Sequence, residues 1–282
     1  MIILAESGSS KTDWCFIKNG EVLQKVSSIG LNPYFVDSSK ISDTITQNVL
    51  PAFNNSESIN DIYFYGAGCS TSKMCEIVRQ GLFAHFPTAN IEVQSDMIAA
   101  ARGLCGEGPG IVSILGTGSN SCAFSGGKII EQSPALGYVL GDEGSGTDIG
   151  KRLLKAFCYK ELKPELQNAF ELKYKISKDD VLEAIYKKAM PNRYIASFVP
   201  FINEHSDESL FRFVHSAFAG FLQQHIMRYE SLPHKTPLYF TGSVAYIFSD
   251  ILKEEVEKHS LILGNITQSP LAGLIEYHRN KR

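Results

Sequence analysis

Short apolar runs separated by polar and glycine-containing segments predict alternating strands and helices along the chain. The runs that begin at Ile2 and at Ile111 are too short for helices and are typical of buried strands. In the first half we expect further strands at Asp61–Tyr65 and Ile91–Gln94, with helices at about Ile41–Phe53, Lys73–Phe86 and Met97–Leu104. Such alternation indicates an α/β fold.

The second half differs from the first by a long helical middle, which covers about Gly150–Tyr229. We expect a strand at Leu238–Thr241, another near Leu261–Leu263, and a closing helix at Pro270–His278. Between the halves, the Gly-Glu-Gly-Pro-Gly run at Gly106–Gly110 interrupts any regular element. The join between the two halves is therefore expected there.

The two halves open with the same order of features. Residues 2–25 and 111–132 each contain an apolar strand, a small hydroxyl-rich loop, a second strand, a glycine turn and a third strand. In the first copy the second turn is Asn19-Gly20, which between apolar runs is a strong hairpin signal. The repeated order predicts two domains related by duplication.

The two hydroxyl-rich loops, Glu6–Thr12 and Gly116–Asn120, have the chemistry of phosphate-binding turns. Backbone N–H groups in a tight turn can form an anion-binding nest, and serine or threonine hydroxyls add donors. Lys11 could face phosphate oxygens, and Glu6 could hold Mg²⁺ through water. Neither loop is GxxxxGK[ST] before a helix or GxGxxG in a βαβ unit. Phosphoryl transfer needs mainly positioning and charge neutralisation, which such loops supply.

Composition and charge exclude several other classes. The chain has 282 residues, with 30 acidic and 27 basic side chains and a net charge of −3. No basic patch suggests nucleic-acid binding. The six cysteines are scattered without a CxxC pair or zinc spacing, and we expect them to be reduced thiols. The apolar N-terminus is too short for a signal peptide, and no run is long enough for a membrane helix. A cytoplasmic protein is expected.

Seven motifs in order along the chain carry a resemblance to a known family. They are SGSSKTDW (Ser7–Trp14), GLNPY (Gly30–Tyr34), YGAGC (Tyr65–Cys69), SDMIAAARG (Ser95–Gly103), ILGTGSNS (Ile114–Ser121), GYVLGDEGSG (Gly137–Gly146) and TGSVA (Thr241–Ala245). The chain resembles N-acetylglucosamine kinases of the BadF/BadG/BcrA/BcrD-type ATPase family, within the actin/hexokinase/Hsp70 superfamily. The resemblance implies two RNase-H-like (actin-like ATPase) α/β domains with an interdomain cleft. These would be residues 1–107, completed by a helix at 270–282, and residues 108–269 with a helical insertion.

The resemblance also implies roles for individual residues. Asp96 matches the catalytic acid, although its position before an alanine-rich helix is equally that of an N-cap. The positions that match ATP contacts are Ser9, Ser10, Lys11, Thr117, Gly118, Ser119, Gly242 and Ser243. The positions that match the sugar site are Asn32, Asp96, Ala135, Leu136 and Asp142. Asn32 before Pro33 would also suit the start of a turn.

Three departures from the family pattern bear on the substrate and the metal. Glu6 stands where aspartate is usual, so the geometry at Mg²⁺ can differ. Ser7 stands where glycine is common, which restricts the turn. Leu136 stands where animal relatives have tryptophan, so an aromatic wall of the sugar site is lost. The choice among N-acetylglucosamine, glucosamine and N-acetylmuramic acid therefore stays open.

The expected function is an ATP-dependent amino-sugar kinase that transfers the γ-phosphoryl group to a hydroxyl, chiefly the 6-OH. The expected partners are a small-molecule amino sugar with ATP and Mg²⁺, and a homodimer stays open. One alternative is an ATPase of the reductase-activator type that drives a partner protein. Those ATPases usually share an iron–sulfur cluster, and Cys105 near the join has no second cysteine beside it in the sequence. Another alternative, a non-catalytic sugar or nucleotide sensor, is disfavoured by the retained motifs.

Overall fold

Both hairpins predicted from the repeated apolar runs are present in the computed structural model. The structure describes residues 1–8, 10–52, 58–233 and 235–280. It divides into two units, one formed by Met1–Gly106 with Pro270–Arg282 and the other by Glu107–Ser269. Each unit has its own five-stranded mixed sheet and its own buried apolar cluster.

The sheet of the first unit has the order β3-β2-β1-β4-β5. Its strands are β1 (Ile2–Ser7), β2 (Lys11–Lys18), β3 (Glu21–Ile29), β4 (Asp61–Gly66) and β5 (Asn90–Ser95). The first three strands pair antiparallel, whereas β1, β4 and β5 run parallel. Trp14 and Phe64 are fully buried, with their ring centroids 5.9 Å apart, and anchor one face of this sheet.

Three helices follow the strands of the first unit: α1 (Ser38–Thr44), α2 (Ser72–Phe83) and α3 (Asp96–Cys105). The helix predicted at Ile41–Phe53 is shorter than expected. After α1 the backbone widens into a π-helical turn, Ile45–Val49, and then tightens into a 3₁₀ turn, Leu50–Ala52. Proline in that last turn has no N–H to donate, which is one reason why an α-helix does not continue there. Phe53 lies outside the described residues.

The sheet of the second unit has the order β10-β9-β6-β7-β8. Its strands are β6 (Gly110–Leu115), β7 (Ser119–Ser125), β8 (Lys128–Gln132), β9 (Leu238–Thr241) and β10 (Leu263–Thr267). Read from the other edge, this order and its pairing directions repeat those of the first unit, with β6 in the place of β1. The predicted α/β fold with duplicated, actin-like halves is therefore confirmed.

One strand lies later than the sequence predicted. Leu261 precedes β10, and the strand runs on through Gly264 and Asn265, which weaken its apolar pattern. Pairing with β9 holds this polar segment in the sheet, with an irregularity between Leu263 and Ile266.

The helical middle of the second unit is divided into several short helices around an aromatic core. They are α4 (Gly137–Leu140), α5 (Gly146–Cys158), α6 (Pro164–Tyr174), α7 (Lys178–Lys187), α8 (Pro191–Ala196), α9 (Pro200–His205) and α10 (Glu208–Gln224). Phe170 is fully buried and meets Phe157, Phe198 and Phe201 at centroid distances of 4.5, 5.6 and 5.0 Å. Two further helices, α11 (Ser243–Ile247) and α12 (Ser249–Lys258), connect β9 to β10.

The closing helix α13 (Leu271–Asn280) belongs to the first unit, where it crosses α3. The crossing depends on glycine, because a Cβ on Gly273 would overlap the carbonyl oxygen of Gly103. Farther along, His278 Nε2 lies 2.8 Å from the Tyr65 hydroxyl, which also accepts from Arg102 at 2.8 Å. The helix that begins with Asp96 is thus packed at its other end against the C-terminal segment.

Candidate active site

In the first unit, three parallel strands end side by side at the edge where Asp96 lies. Ser7 of β1 pairs with Gly66 of β4, and Gly66 pairs with Ser95 of β5. The carboxyl ends of parallel strands in α/β sheets are where ligands usually bind. The sheet therefore brings the end of the first loop close to the YGAGC segment and to the start of α3.

The N-cap of α3 is Ser95, whose hydroxyl accepts from the N–H of Ile98 at 3.4 Å. This corrects the alternative that Asp96 caps the helix: Asp96 is the first helical residue instead. Within the described residues its carboxylate has no ion-pair partner. Burial raises the pKa of Asp96, whereas the backbone N–H groups of Met97 and of Asp96 itself favour its charged form and oppose that shift.

Asn32 is held against the YGAGC segment. Its Oδ1 accepts from the N–H of Tyr34 at 3.0 Å, so the predicted turn-starting role is real. Gly68 has φ +85°, and a Cβ there would overlap Asn32 Oδ1. The side-chain amide therefore lies directly on the Gly68 backbone, and its Nδ2 has no hydrogen-bond partner in the part of the chain that the structure describes. The neighbouring aromatic rings of Tyr34 and Phe35 are 60% and 65% exposed.

A buried hydroxyl pair closes the first loop. Ser7 Oγ lies 2.8 Å from Thr12 Oγ1 and accepts from the N–H of Leu31 at 3.0 Å. Thr12 Oγ1 in turn donates to the carbonyl of Ile29 at 2.9 Å. Sequence reasoning treated Ser7 as a mild restriction of the turn and missed that it joins the loop to the end of β3. The only signal of this role in the sequence was that Ser7 stands where glycine is common in the family.

The remaining predicted residues of the first loop are mostly at the surface. Ser10 is exposed, and Lys11 Nζ lies 2.7 Å from Asp13 Oδ1 in an exposed ion pair. Glu6 is half-buried at the end of β1, directly opposite Asp13 on β2. Ser9 lies outside the described residues. An exposed pair of this kind is weak and leaves the Lys11 ammonium available to another anion.

The second loop is fastened by the helix that follows the GDEGSG motif. The carbonyl of Gly116 accepts from Gly146 N–H at 2.8 Å, and that of Thr117 accepts from Thr147 N–H at 3.1 Å. Thr147 Oγ1 also donates to the Thr117 carbonyl, at 2.6 Å. With its carbonyls committed to α5, the loop keeps the N–H groups of Thr117 and Gly118 without a partner among the described residues. Such a turn can bind an anion.

Asp142 lies directly on this second loop. Its Oδ1 accepts from Ser119 N–H at 3.1 Å, and a Cβ on Gly118 would lie 3.0 Å from the same oxygen. The backbone of Asp142 has φ +60°, which is unusual for a residue other than glycine. Burial raises the pKa of Asp142, opposed by the Ser119 N–H and by Lys151. Ser119 Oγ is buried and has no hydrogen-bond partner in the described chain.

Gly242 and Ser243 lie beneath the second loop at the end of β9. Gly242 has φ +114°, and a Cβ there would overlap the carbonyl oxygen of Leu115, the residue before the loop. Its N–H donates to the carbonyl of Thr267 at 3.1 Å, and Ser243 is exposed at the start of α11. Only glycine permits this close approach of β9 to β6.

Ala135 and Leu136 belong to an exposed segment between β8 and α4, where Leu136 is 59% exposed. Sequence reasoning missed His225, which hydrogen-bonds Ser133 and Glu143 on either side of this segment. Nothing in the sequence around His225 marks it, since the contact joins residues 82 and 92 positions apart.

The described residues contain neither a cluster of metal-ligand side chains nor a membrane-spanning helix. Over residues 1–8, 10–52, 58–233 and 235–280, no group of three or more His, Cys, Asp or Glu side chains is placed to hold a metal ion. Within the same ranges, no helix is both long enough and apolar enough to cross a membrane.

The BadF/BadG/BcrA/BcrD ATPase family matches residues 6–273, nearly the whole chain. The chain belongs to this ATPase family. A comparison with curated proteins gave no match. The family match confirms the resemblance seen in the seven motifs.

Solved structures of similar proteins agree with this family membership. A Porphyromonas gingivalis protein, provisionally assigned as an N-acetylglucosamine kinase, is 40% identical, with a TM-score of 0.94 over 99% of each chain. A Chromobacterium violaceum protein with the same provisional assignment is 16% identical, with a TM-score of 0.77 over 98% of each chain. A ROK family glucokinase from Streptomyces griseus, solved with glucose and AMPPNP, is 16% identical, with a TM-score of 0.57 over 98% of this chain and 97% of that one. At these low identities, the Chromobacterium violaceum and Streptomyces griseus proteins show only that the fold is shared.

Proposed function

We propose that this ATPase-family chain is an amino-sugar kinase that transfers the γ-phosphoryl group of ATP to the 6-OH of N-acetylglucosamine or a related hexosamine. The observation that carries the proposal is the contact between Asp142 and the Gly118–Ser119 turn. It joins an anion-binding turn to a carboxylate suited to sugar hydroxyls. The 40%-identical Porphyromonas gingivalis protein supports the same substrate class.

The second loop would bind the phosphates of ATP. Within the described residues, the N–H groups of Thr117 and Gly118 and the hydroxyl of Ser119 have no protein partner and can serve as donors. Positioning and charge stabilisation supply most of the catalysis of phosphoryl transfer, so donors fixed in place are what the reaction needs. The other residues proposed to contact ATP are Ser9, Ser10, Lys11, Gly242 and Ser243.

Asp96 would act as the general base. As the sugar hydroxyl oxygen attacks the γ-phosphorus, its proton passes to the Asp96 carboxylate, the bond to the β-phosphate oxygen breaks, and ADP leaves. Two features support this role: Ser95 carries the helix cap, and burial makes the Asp96 carboxylate more basic.

Asn32 and Asp142 would bind sugar hydroxyls, with Ala135 and Leu136 beside the acyl group. Asn32 can donate through Nδ2, since its Oδ1 already accepts from Tyr34. Asp142 can accept through the carboxylate oxygen that Ser119 does not use. Leucine in place of an aromatic residue would contact an acyl methyl group without stacking on the ring.

Mg²⁺ would bind near Glu6, through water, and would neutralise charge on the ATP phosphates. The donor set fits a hard cation, because Glu6 and Asp13 lie opposite each other on paired antiparallel strands and so share one face of the sheet. Asp13 contacts Lys11 and Ser27, and Glu6 is the proposed ligand.

Coupled ADP release measured with N-acetylglucosamine, glucosamine and N-acetylmuramic acid tests this function. We expect at least one sugar to stimulate ADP release and Asp96→Asn to lower kcat by about 10³-fold, with ATP still bound. Asp43→Asn, an exposed acid on α1, is the matched control and should keep wild-type activity. A 6-deoxy sugar should bind without being phosphorylated. ATP hydrolysis that no sugar stimulates would favour the reductase-activator type of ATPase instead.

A further inference from the structure

One imidazole holds both ends of the segment that connects β8 to α5. His225 follows α10 directly and is its C-cap. Its Nδ1 lies 2.7 Å from Ser133 Oγ, and its Nε2 lies 2.9 Å from Glu143 Oε2. Ser133 precedes Pro134, and Glu143 follows Asp142. The intervening residues 134–142 therefore form a loop whose two stems share one anchor.

The anchor itself is fixed. The His225 ring stacks on Phe221, with centroids 5.0 Å apart, and its side chain is only 11% exposed. Tyr229, one helical turn beyond His225, accepts the N–H of Ser133 at 3.0 Å and pairs with Ser121 Oγ on β7 at 2.7 Å. The end of α10 is thus tied to the central sheet as well as to the loop.

Both protonation states of the ring preserve the anchor. In the neutral ring with hydrogen on Nε2, the ring donates to Glu143 and accepts from the Ser133 hydroxyl. In the charged ring both nitrogens donate, and Ser133 becomes the acceptor. Burial is the largest single influence and raises the pKa of Glu143, but the His225 hydrogen bond, a backbone N–H and the nearby His225 and Lys151 together outweigh it, so the pKa is lowered overall. The charged carboxylate is therefore the form that this contact favours.

The order carboxylate, imidazole and hydroxyl is also that of a hydrolytic triad, but Ser133 is poorly suited to act as a nucleophile. A serine nucleophile needs backbone N–H donors aimed at the oxyanion that forms. The N–H of Ser133 is already donated to Tyr229. The arrangement therefore restrains the loop.

Two other contacts hold the loop to the rest of the second unit. Asp142 accepts from the Ser119 N–H at its end, and Lys151 Nζ donates to the carbonyl of Tyr138 at 2.9 Å, near its middle. Leu136, Val139 and Leu140 are 59%, 71% and 74% exposed, so apolar packing does not fix their position. The unusual backbone of Asp142 must be held by its neighbours, and Glu143 is the adjacent residue with an anchored side chain.

We propose that His225 is a positioning residue for sugar recognition, which sets Asp142 through Glu143 and the Ala135–Leu136 segment through Ser133. This inference rests on the proposed amino-sugar kinase function. His225 contacts neither substrate. It acts by restricting the loop, so its loss should weaken sugar binding and leave ATP binding unchanged.

Three substitutions at His225 separate its two contacts. An asparagine amide reaches about as far as Nδ1 and can keep Ser133, whereas a glutamine amide reaches about as far as Nε2 and can keep Glu143. We expect His225→Ala to raise the sugar KM about tenfold, the loss of roughly one hydrogen-bonded anchor. His225→Gln should stay within about threefold of wild type, and His225→Asn should resemble alanine in sugar KM. The ATP KM should change less than about twofold in all three.

The preference between sugars gives a readout that a general loss of stability would not move. Ser133→Ala removes the His225 contact of the stem beside Ala135 and Leu136 and keeps its N–H bond to Tyr229. It should therefore change the ratio of kcat/KM for N-acetylglucosamine to that for glucosamine more than the KM of either. His259→Asn is the matched control, because His259 caps α12 and its Nδ1 contacts only the Glu255 carbonyl.

Two results would overturn the inference and one would instead remove its basis. An unchanged sugar KM in folded His225→Ala, or equal increases in the KM of sugar and ATP, would overturn the positioning role. Wild-type protein that no amino sugar stimulates would show that the proposed function itself is wrong. Circular dichroism and thermal unfolding of each variant establish that it is folded.

Discussion

The two hydroxyl-rich loops occupy equivalent places in equivalent sheets, yet they are held by different means. The first, between β1 and β2, is closed by the buried Ser7–Thr12 hydroxyl pair. The second, between β6 and β7, is fastened from outside, by the start of α5 and by Asp142. Duplication preserved the strands and their pairing, while the contacts that define each loop came from other parts of the chain.

The two loops also differ in the space beside one glycine of each. A Cβ on Gly8 would lie 3.7 Å from the Lys11 carbonyl, an ordinary contact. A Cβ on Gly118 would lie 3.0 Å from Asp142 Oδ1 and 3.2 Å from Asp142 Cγ, which is a tight contact. Gly8 therefore has room for a methyl group and Gly118 does not, so substitutions at these two glycines should act unequally.

The largest effect is expected from Gly118→Ala compared with Gly8→Ala. The methyl group at position 118 would displace the Asp142 carboxylate by a few tenths of an ångström and strain its bond to the Ser119 N–H. We therefore expect kcat/KM to fall about 30-fold, a change of about 2 kcal/mol. Gly8→Ala should change kcat/KM less than about twofold, because its methyl group has space. Steady-state kinetics with the preferred sugar measures both. Equal losses in the two variants would remove the distinction between the loops.

The contacts that hold the two loops should affect different properties: those of Ser7 the stability of the protein, and that of Thr147 the binding of ATP. Ser7→Ala leaves the buried N–H of Leu31 without an acceptor and should lower the free energy of unfolding by about 1–3 kcal/mol. Thr147→Val removes one of two donors to the Thr117 carbonyl and should cost about 1 kcal/mol. Only Thr147→Val should raise the KM for ATP. Urea unfolding and kinetics test the pair, and a larger ATP effect in Ser7→Ala would reverse our assignment.

The raised pKa of Asp96 should make stability depend on pH with a definite sign. Between about pH 4, where a free aspartate titrates, and the raised pKa, the folded state binds more protons than the unfolded state. The stability of the wild-type protein should therefore contain a contribution that falls as pH rises through that window. Asp96→Asn lacks this contribution and should gain stability relative to wild type at neutral pH.

Urea unfolding of wild type and Asp96→Asn at acidic and neutral pH measures this difference, with Asp43→Asn as the exposed control. A stability difference that does not change with pH would mean that burial does not raise the pKa of Asp96. Because the same carboxyl is the proposed base, kcat should rise with pH across the same window.

The smallest effect is expected at Lys11. Its exposed pair with Asp13 contributes less than about 1 kcal/mol, so Lys11→Met should leave the free energy of unfolding nearly unchanged. If Lys11 contacts phosphate as proposed, the KM for ATP should rise about threefold. Lys25→Met, an exposed lysine on β3, serves as the control for loss of charge. If Lys11→Met and Lys25→Met have the same KM for ATP, Lys11 does not contact phosphate, and its role is confined to the surface pair with Asp13.

Much of the architecture was predictable because local patterns determine it. Short apolar runs, the Asn19-Gly20 turn and the recurring order of strand, loop and strand identified both hairpins before any tertiary contact was known. Two elements depart from the predicted bounds. The helix after Ser38 changes to π and 3₁₀ geometry, where Pro51 has no N–H to donate, and β10 extends through Gly264 because β9 pairs with it.

The types and order of the candidate residues, from the first loop through Asp96 to the second loop and Asp142, could be read from the chain alone. The cap at Ser95 is also local, since Ser95 accepts from Ile98 in the same turn. In contrast, the contacts of Asp142 with Ser119 and of His225 with Ser133 and Glu143 form only on folding, because they join residues far apart along the chain. Periodicity and turn preference act over a few residues, whereas these contacts depend on how whole elements pack.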